Sequence, residues 1–143
     1  MTPMDQAIKE AIYRAVEKEP FAQTLKMELV ALDQGYSAVE MAYDPVAMDN
    51  IYARAHGGAI FALIDEAFET ACQTHGTIAV ALNVNVTYVT SPEAGARLRA
   101  EAQEVSKTNK TSAYDIKVTD QDGQIIATCQ ALAFRTGKPI PFL

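Results

Sequence analysis

The stretch NIYARAHGGAIFALIDEAFETAC, from Asn50 to Cys72, limits the architecture more than any other part of the chain. On a wheel at ~100° per residue, Ile60, Phe61, Leu63, Ile64, Ala67, Phe68, Ala71 and Cys72 fill about half the circumference. An apolar arc that wide needs a broad surface to cover it. The expected central helix runs over about 57–75, where Gly76 can take the left-handed conformation that ends a helix. Glu66 and Glu69 point away from the arc and read as its solvated face.

The flanking segments supply the surface. A first helix is expected over about 4–18, with Ala7, Ile8, Ala11, Ile12, Ala15 and Val16 on one side and Pro20 closing it. Met27, Leu29 and Ala31 then alternate with polar neighbours, turn at Gln34-Gly35, and alternate again at Val39 and Met41. Beyond the central helix come four strand-like runs, TIAVALNVNVTYVT, ARLRAEAQEVS, TSAYDIKVTD and QIIATCQALAFRT, the last two joined by a Gln121-Asp122-Gly123 turn. Helix, two strands, long helix and four strands over residues 1–143 predict one α+β domain, a mostly antiparallel sheet with the helix across one face.

Charge and composition exclude other classes. A net charge of −6 argues against nucleic-acid partners, since neutralising phosphates needs a basic surface. No apolar run approaches the ~20 residues of a membrane helix, and residues 1–20 lack a secretory pattern, so a cytoplasmic protein is expected. Cys72 and Cys129 have neither metal-site nor disulfide spacing and read as small buried residues in a reducing compartment.

Two oddities in the helix point to chemistry. His56-Gly57-Gly58 opens it with no Ser, Thr, Asp or Asn cap, and each glycine costs about 1 kcal/mol against alanine if helical. Glycines leave N–H groups open to approach at the positive end of a helix, equipment for a carbonyl oxygen gaining negative charge. Asp65 falls about 20° outside the apolar arc, with Phe61, Phe68 and Cys72 beside it, where partial desolvation would make it a better base. Eight residues separate Gly57 from Asp65, ~12 Å along one axis, too far for a single small reacting group. If they cooperate, each works with its counterpart on a second chain, in a homodimer with shared sites.

Asn50, His56-Gly57-Gly58 and Asp65, at this spacing, resemble the signature of hotdog-fold acyl-CoA thioesterases of the phenylacetic-acid-degradation (PaaI-like) type. The likeness extends from about Gly35 to Thr136 and implies a curved antiparallel sheet wrapped around a long central helix. It implies Asp65 as general base or nucleophile, the Gly57 amide polarising the thioester oxygen, Asn50 holding water or carboxylate, and His56 orienting the loop, with Gly58 beside the substrate. Relatives often place a Ser or Thr on the next strand. Here Ala81, Asn83, Asn85 and Thr87 are the candidates, with Asn83 and Asn85 able to contact substrate. Lys107, Thr108, Asn109 and Lys110 form the compact polar turn that could meet CoA phosphates, and Phe21, Tyr52 and Phe61 could line an acyl pocket. No metal or cofactor is implied. A non-catalytic acyl-CoA-sensing module and an enoyl-thioester hydratase or dehydratase are the competing readings on the same fold, and association of dimers into a homotetramer is left open.

Overall fold

The structure, a computed structural model, describes residues 3–143. Asp5 caps the first helix, α1 (Gln6–Lys18), by accepting the amides of Ala7 and Ile8. Pro20 does not merely end α1. It opens a short second helix, α2 (Pro20–Thr24), where a missing N–H costs nothing. The strands β1 (Glu28–Asp33) and β2 (Tyr36–Ala42) form a hairpin whose tight turn needs Gly35 at φ +72°. A bulge between Leu29 and Ala31 turns Leu32 inward, so the buried pair of β1 is Leu29 and Leu32 rather than Leu29 and Ala31.

A turn of helix, α3 (Pro45–Met48), leads to the central helix α4 (Gly57–Cys72), and Gly76 beyond it sits at φ +82°. The helix closes three residues short of the expected end, in a turn. The remaining strands are β3 (Thr77–Tyr88), β4 (Arg97–Lys107), β5 (Thr111–Thr119) and β6 (Ile125–Pro139). All six strands form one antiparallel sheet in the order β1-β2-β4-β5-β6-β3. The sheet curves around α4 in a hotdog fold, with Leu63, Ile64, Ala67 and Phe68 against Met41, Leu98, Ala100 and Tyr114 in the core.

The surroundings of α4 revise the wheel. Glu66 is not solvated: it is 3% exposed, because the junction of α1 and α2 lies over that side and brings Glu19 to it. The open stripe is instead Phe61, Asp65 and Glu69, spaced by four and in line with half-exposed Gly57. This stripe runs along β3, an edge strand bonded to β6 alone, on which Val80 and Leu82 are 48% and 56% exposed. An apolar edge strand beside an uncovered helix stripe is an unfinished surface.

Candidate functional site

The two halves of the predicted site lie at opposite ends of that surface. At the start of α4, where no Ser, Thr, Asp or Asn stands, His56 supplies the cap. Its Nδ1 accepts the Gly58 amide at 2.8 Å, and its carbonyl accepts the Ala59 amide at 3.0 Å. The Gly57 amide finds no acceptor among the described residues and remains free. Each glycine answers to a particular neighbour. A Cβ on Gly58 would lie 3.0 Å from Nδ1 of the capping ring, and a Cβ on Gly57 would lie 3.2 Å from Cζ of Tyr88. The Tyr88 hydroxyl donates to the Gly57 carbonyl at 3.0 Å, so the tyrosine covers one side of the helix start.

Asn50 organises the loop before the helix. Its Oδ1 accepts the amides of Tyr52 and Arg54, in a turn where Ala53 takes φ +56°. With Oδ1 used, Asn50 has the N–H donors of its amide left to offer. Asn50, Gly57, Ile60 and Tyr88 line a hollow of about 360 Å³.

Asp65 lines a different hollow, of about 260 Å³, with Phe68, Glu69, Cys72, Gln73 and residues Ala79 to Ala81 of β3. Its carboxylate keeps an open edge in the single chain, yet burial against these neighbours raises its pKa above the ordinary carboxylate value, and the charge of Glu19 adds to the rise. No residue of the Gly57 hollow also lines the Asp65 hollow. Within one chain, the Gly57 amide and Asp65 therefore do not share a hollow.

The strand after α4 delivers no Ser or Thr hydroxyl to the Asp65 hollow. A bulge between Ala81 and Asn83 resets the alternation of β3. Of the four candidates, the one that lines the Asp65 hollow is Ala81. Asn83 and Asn85 pair with Leu132 and Gln130 on the outer face of the sheet, away from α4, and hydrogen-bond to each other. Thr87 faces the same way, into an outer cleft with Asn85, Tyr36 and Glu101. Expected as substrate contacts, Asn83 and Asn85 thus line neither the Gly57 hollow nor the Asp65 hollow of their own chain.

Lys107, Thr108, Asn109 and Lys110 occupy the exposed turn between β4 and β5, where the Thr108 hydroxyl accepts the Lys110 and Thr111 amides. The Lys110 carbonyl accepts the Arg135 amide, and Arg135 pairs with Ala79 of the Asp65 hollow. Two strand spacings, about 10 Å, thus separate this basic turn from the hollow's edge. Arg135 was not singled out from the sequence. Its Nε and Nη1 are buried without partners, as a cation awaiting an anion would be. Phe21, Tyr52 and Phe61 are 57%, 77% and 37% exposed and line neither hollow.

One acidic group also escaped the sequence. Carboxylate oxygens of Glu19, Glu66 and Glu69 lie within 4.8 Å of one another, the spacing at which three acids share protons or hold a hard cation. Burial foremost, with Glu19 beside it, pushes Glu66 up to about 10, and burial with the charge of Glu19 pushes Glu69 up to about 7. Cys72 and Cys129 are buried and unpaired.

The chain matches the thioesterase superfamily over residues 52–127. It is 31% identical over 124 residues to the acyl-coenzyme A thioesterase PaaI of Escherichia coli, covering 87% of this chain and 88% of that protein. The solved structure of the E. coli PaaI protein from the phenylacetic acid degradation operon superimposes with a TM-score of 0.88 at 28% identity, covering 93% of this chain and 96% of the other. A Streptococcus mutans protein solved bound to acetyl-CoA, smu.793, superimposes with a TM-score of 0.75 at 29% identity, covering 80% of this chain and 91% of that one.

Proposed function

The chain belongs to the thioesterase superfamily as a PaaI-like hotdog thioesterase, and from that premise we propose that it hydrolyses acyl-CoA at composite sites shared by two copies of itself. The observation that carries this reading is the separation of the free Gly57 amide and Asp65 into two hollows along one uncovered edge. A two-fold partner laid antiparallel against β3 and the open stripe of α4 would set the Gly57 of each chain beside the Asp65 of the other. The exposed Val80 and Leu82 of β3 support that edge as the contact.

In such a site the thioester carbonyl oxygen accepts the Gly57 amide, aided by the positive end of α4. The Asn50 amide donates to the attacking water or to the carboxylate. Asp65 removes a proton from water as the new C–O bond forms. The C–S bond then breaks, CoA leaves as a thiolate and is protonated, and the acid is released. Direct attack by Asp65 would give a mixed anhydride, which water then opens to the same products. With Ala81 in the Asp65 hollow, no Ser or Thr of β3 reaches the carbonyl from that side, so its polarisation falls to the helix start. Lys107, Lys110 and Arg135 offer their charges to the CoA phosphates, with Asn109 at the tip of the same turn.

Thiol release from a panel of acyl-CoAs tests this reading. Turnover supports hydrolysis. Binding without turnover replaces the enzyme with a sensing module.

A further inference from the structure

Behind the Asp65 hollow lies a second cavity, of about 230 Å³. Its apolar walls are Ile12, Ala15 and Val16 of α1, Ile78, and Ile140 to Phe142 of the C-terminal segment, with Glu19 on the polar side beside α4. Glu69 and Gln73 line both spaces, so the two are neighbours across that pair of side chains. Gln73 is fixed, since its amide donates to the Ala79 carbonyl at 2.9 Å and accepts the Ala79 amide at 3.1 Å. Thr70, also at this wall, is held by Ser37 and the Glu66 carbonyl. Glu69 is exposed, with its carboxylate clustered with those of Glu19 and Glu66, so it forms the outer, solvent-facing side of this wall.

We propose that the acyl group of the substrate passes between Glu69 and Gln73 into this cavity, which makes α1 and the C-terminal segment the selectors of a linear aliphatic acyl chain of medium length. The inference rests on acyl-CoA hydrolysis beside Asp65. A narrow flexible chain threads between two side chains where a flat ring needs a wider opening. The far walls are branched aliphatic residues that reward each methylene, by roughly fourfold in affinity for full burial. Ile12, Val16 and Ile140 lie outside the 52–127 span that matches the superfamily, so the selector is separate from the shared chemistry.

The test compares butanoyl-CoA with octanoyl-CoA. Wild type is expected to favour octanoyl at least tenfold in kcat/KM, and Ala15→Trp, which fills the cavity from α1, is expected to reduce that ratio at least tenfold. An octanoyl preference that is absent in wild type, or unaltered in the variant, overturns the proposal. A second measurement needs neither variant nor turnover. The non-hydrolysable octanoyl thioether of CoA, added to wild type with labelled isoleucine methyls, should shift the NMR signals of Ile12, Ile78 and Ile140. Binding that leaves all three unmoved overturns the cavity assignment even if hydrolysis is confirmed. Shifts without hydrolysis of any acyl-CoA would sink the enzymatic reading and leave the cavity standing.

Discussion

His56 Nδ1 lies 2.8 Å from the Gly58 amide nitrogen, so the histidine imidazole, not the loop backbone, caps the central helix. The cap takes up the second amide of α4 and leaves the first, on Gly57, without an acceptor among the described residues. Replacing a capping side chain by alanine costs about 1 kcal/mol. His56→Ala should lower Tm by about 3 °C in a thermal melt. His56→Asn, which restores an acceptor at the cap, should regain most of that loss. Equal melting of all three proteins would remove the capping role.

Gly57 separates geometry from chemistry. Gly57→Pro deletes the free amide and should stop turnover. Gly57→Ala keeps the amide but sets a Cβ 3.2 Å from the Tyr88 ring, so Tyr88 must shift. That variant should retain a reduced rate. Steady-state thiol release decides it: a proline variant as active as the alanine one would mean that the amide holds no oxygen.

For Asp65, the expected loss is that of a general base, about 100-fold or more in kcat for Asp65→Asn at equal folded fraction. Only the deprotonated carboxylate accepts a proton, so activity rises with pH through its pKa. Burial and Glu19 raise that pKa, which places the acid limb above the ordinary carboxylate value of 3.8. Glu19→Gln removes one cause and should move the limb to lower pH. A loss within tenfold for Asp65→Asn would end its candidacy.

Much of this was legible in the sequence because it depends on neighbours close along the chain. The apolar arc from Ile60 to Cys72 marked α4, and the Asp122-Gly123 turn marked the β5–β6 hairpin. The bulges at Leu29/Ala31 and Ala81/Asn83 were hidden, since an extra residue leaves no fixed signature yet flips every side chain after it. That flip sent Asn83 and Asn85 to the outer face. Glu66 was misread because a helical wheel cannot know that Glu19, 47 residues earlier, folds over it. Tyr88 and Arg135 went unnoticed for the same reason: Gly57 and Ala79, the residues they meet, are distant in sequence.

Glu66 gives a prediction about stability. Its folded pKa of about 10 stands well above the ordinary 4.5. The folded chain keeps a proton that the unfolded chain releases. Stabilisation from this group is therefore complete below about pH 4.5 and is lost as pH climbs toward 10. Glu66→Gln mimics the protonated acid at every pH. Its Tm should exceed wild type at pH 8, by a margin that narrows as pH falls and closes below about pH 4.5. A gap that does not vary with pH would show that Glu66 is ionised in the fold.

The sharpest test concerns the two hollows that one chain cannot unite. Asp65→Ala and Gly57→Pro should each be inactive alone. In a mixed dimer, one site draws an intact Asp65 from one chain and an intact Gly57 from the other, while the second site lacks both. Random assortment makes half the dimers mixed, each with one of two sites working, so activity should recover to about a quarter of wild type. Co-expression with two different tags allows the mixed dimer to be isolated and its composition checked. Recovery near that value requires a site built across the interface between two copies. A purified mixed dimer with no activity would return Gly57 and Asp65 to separate tasks within their own chains, and the free amide at the start of α4 would need another explanation.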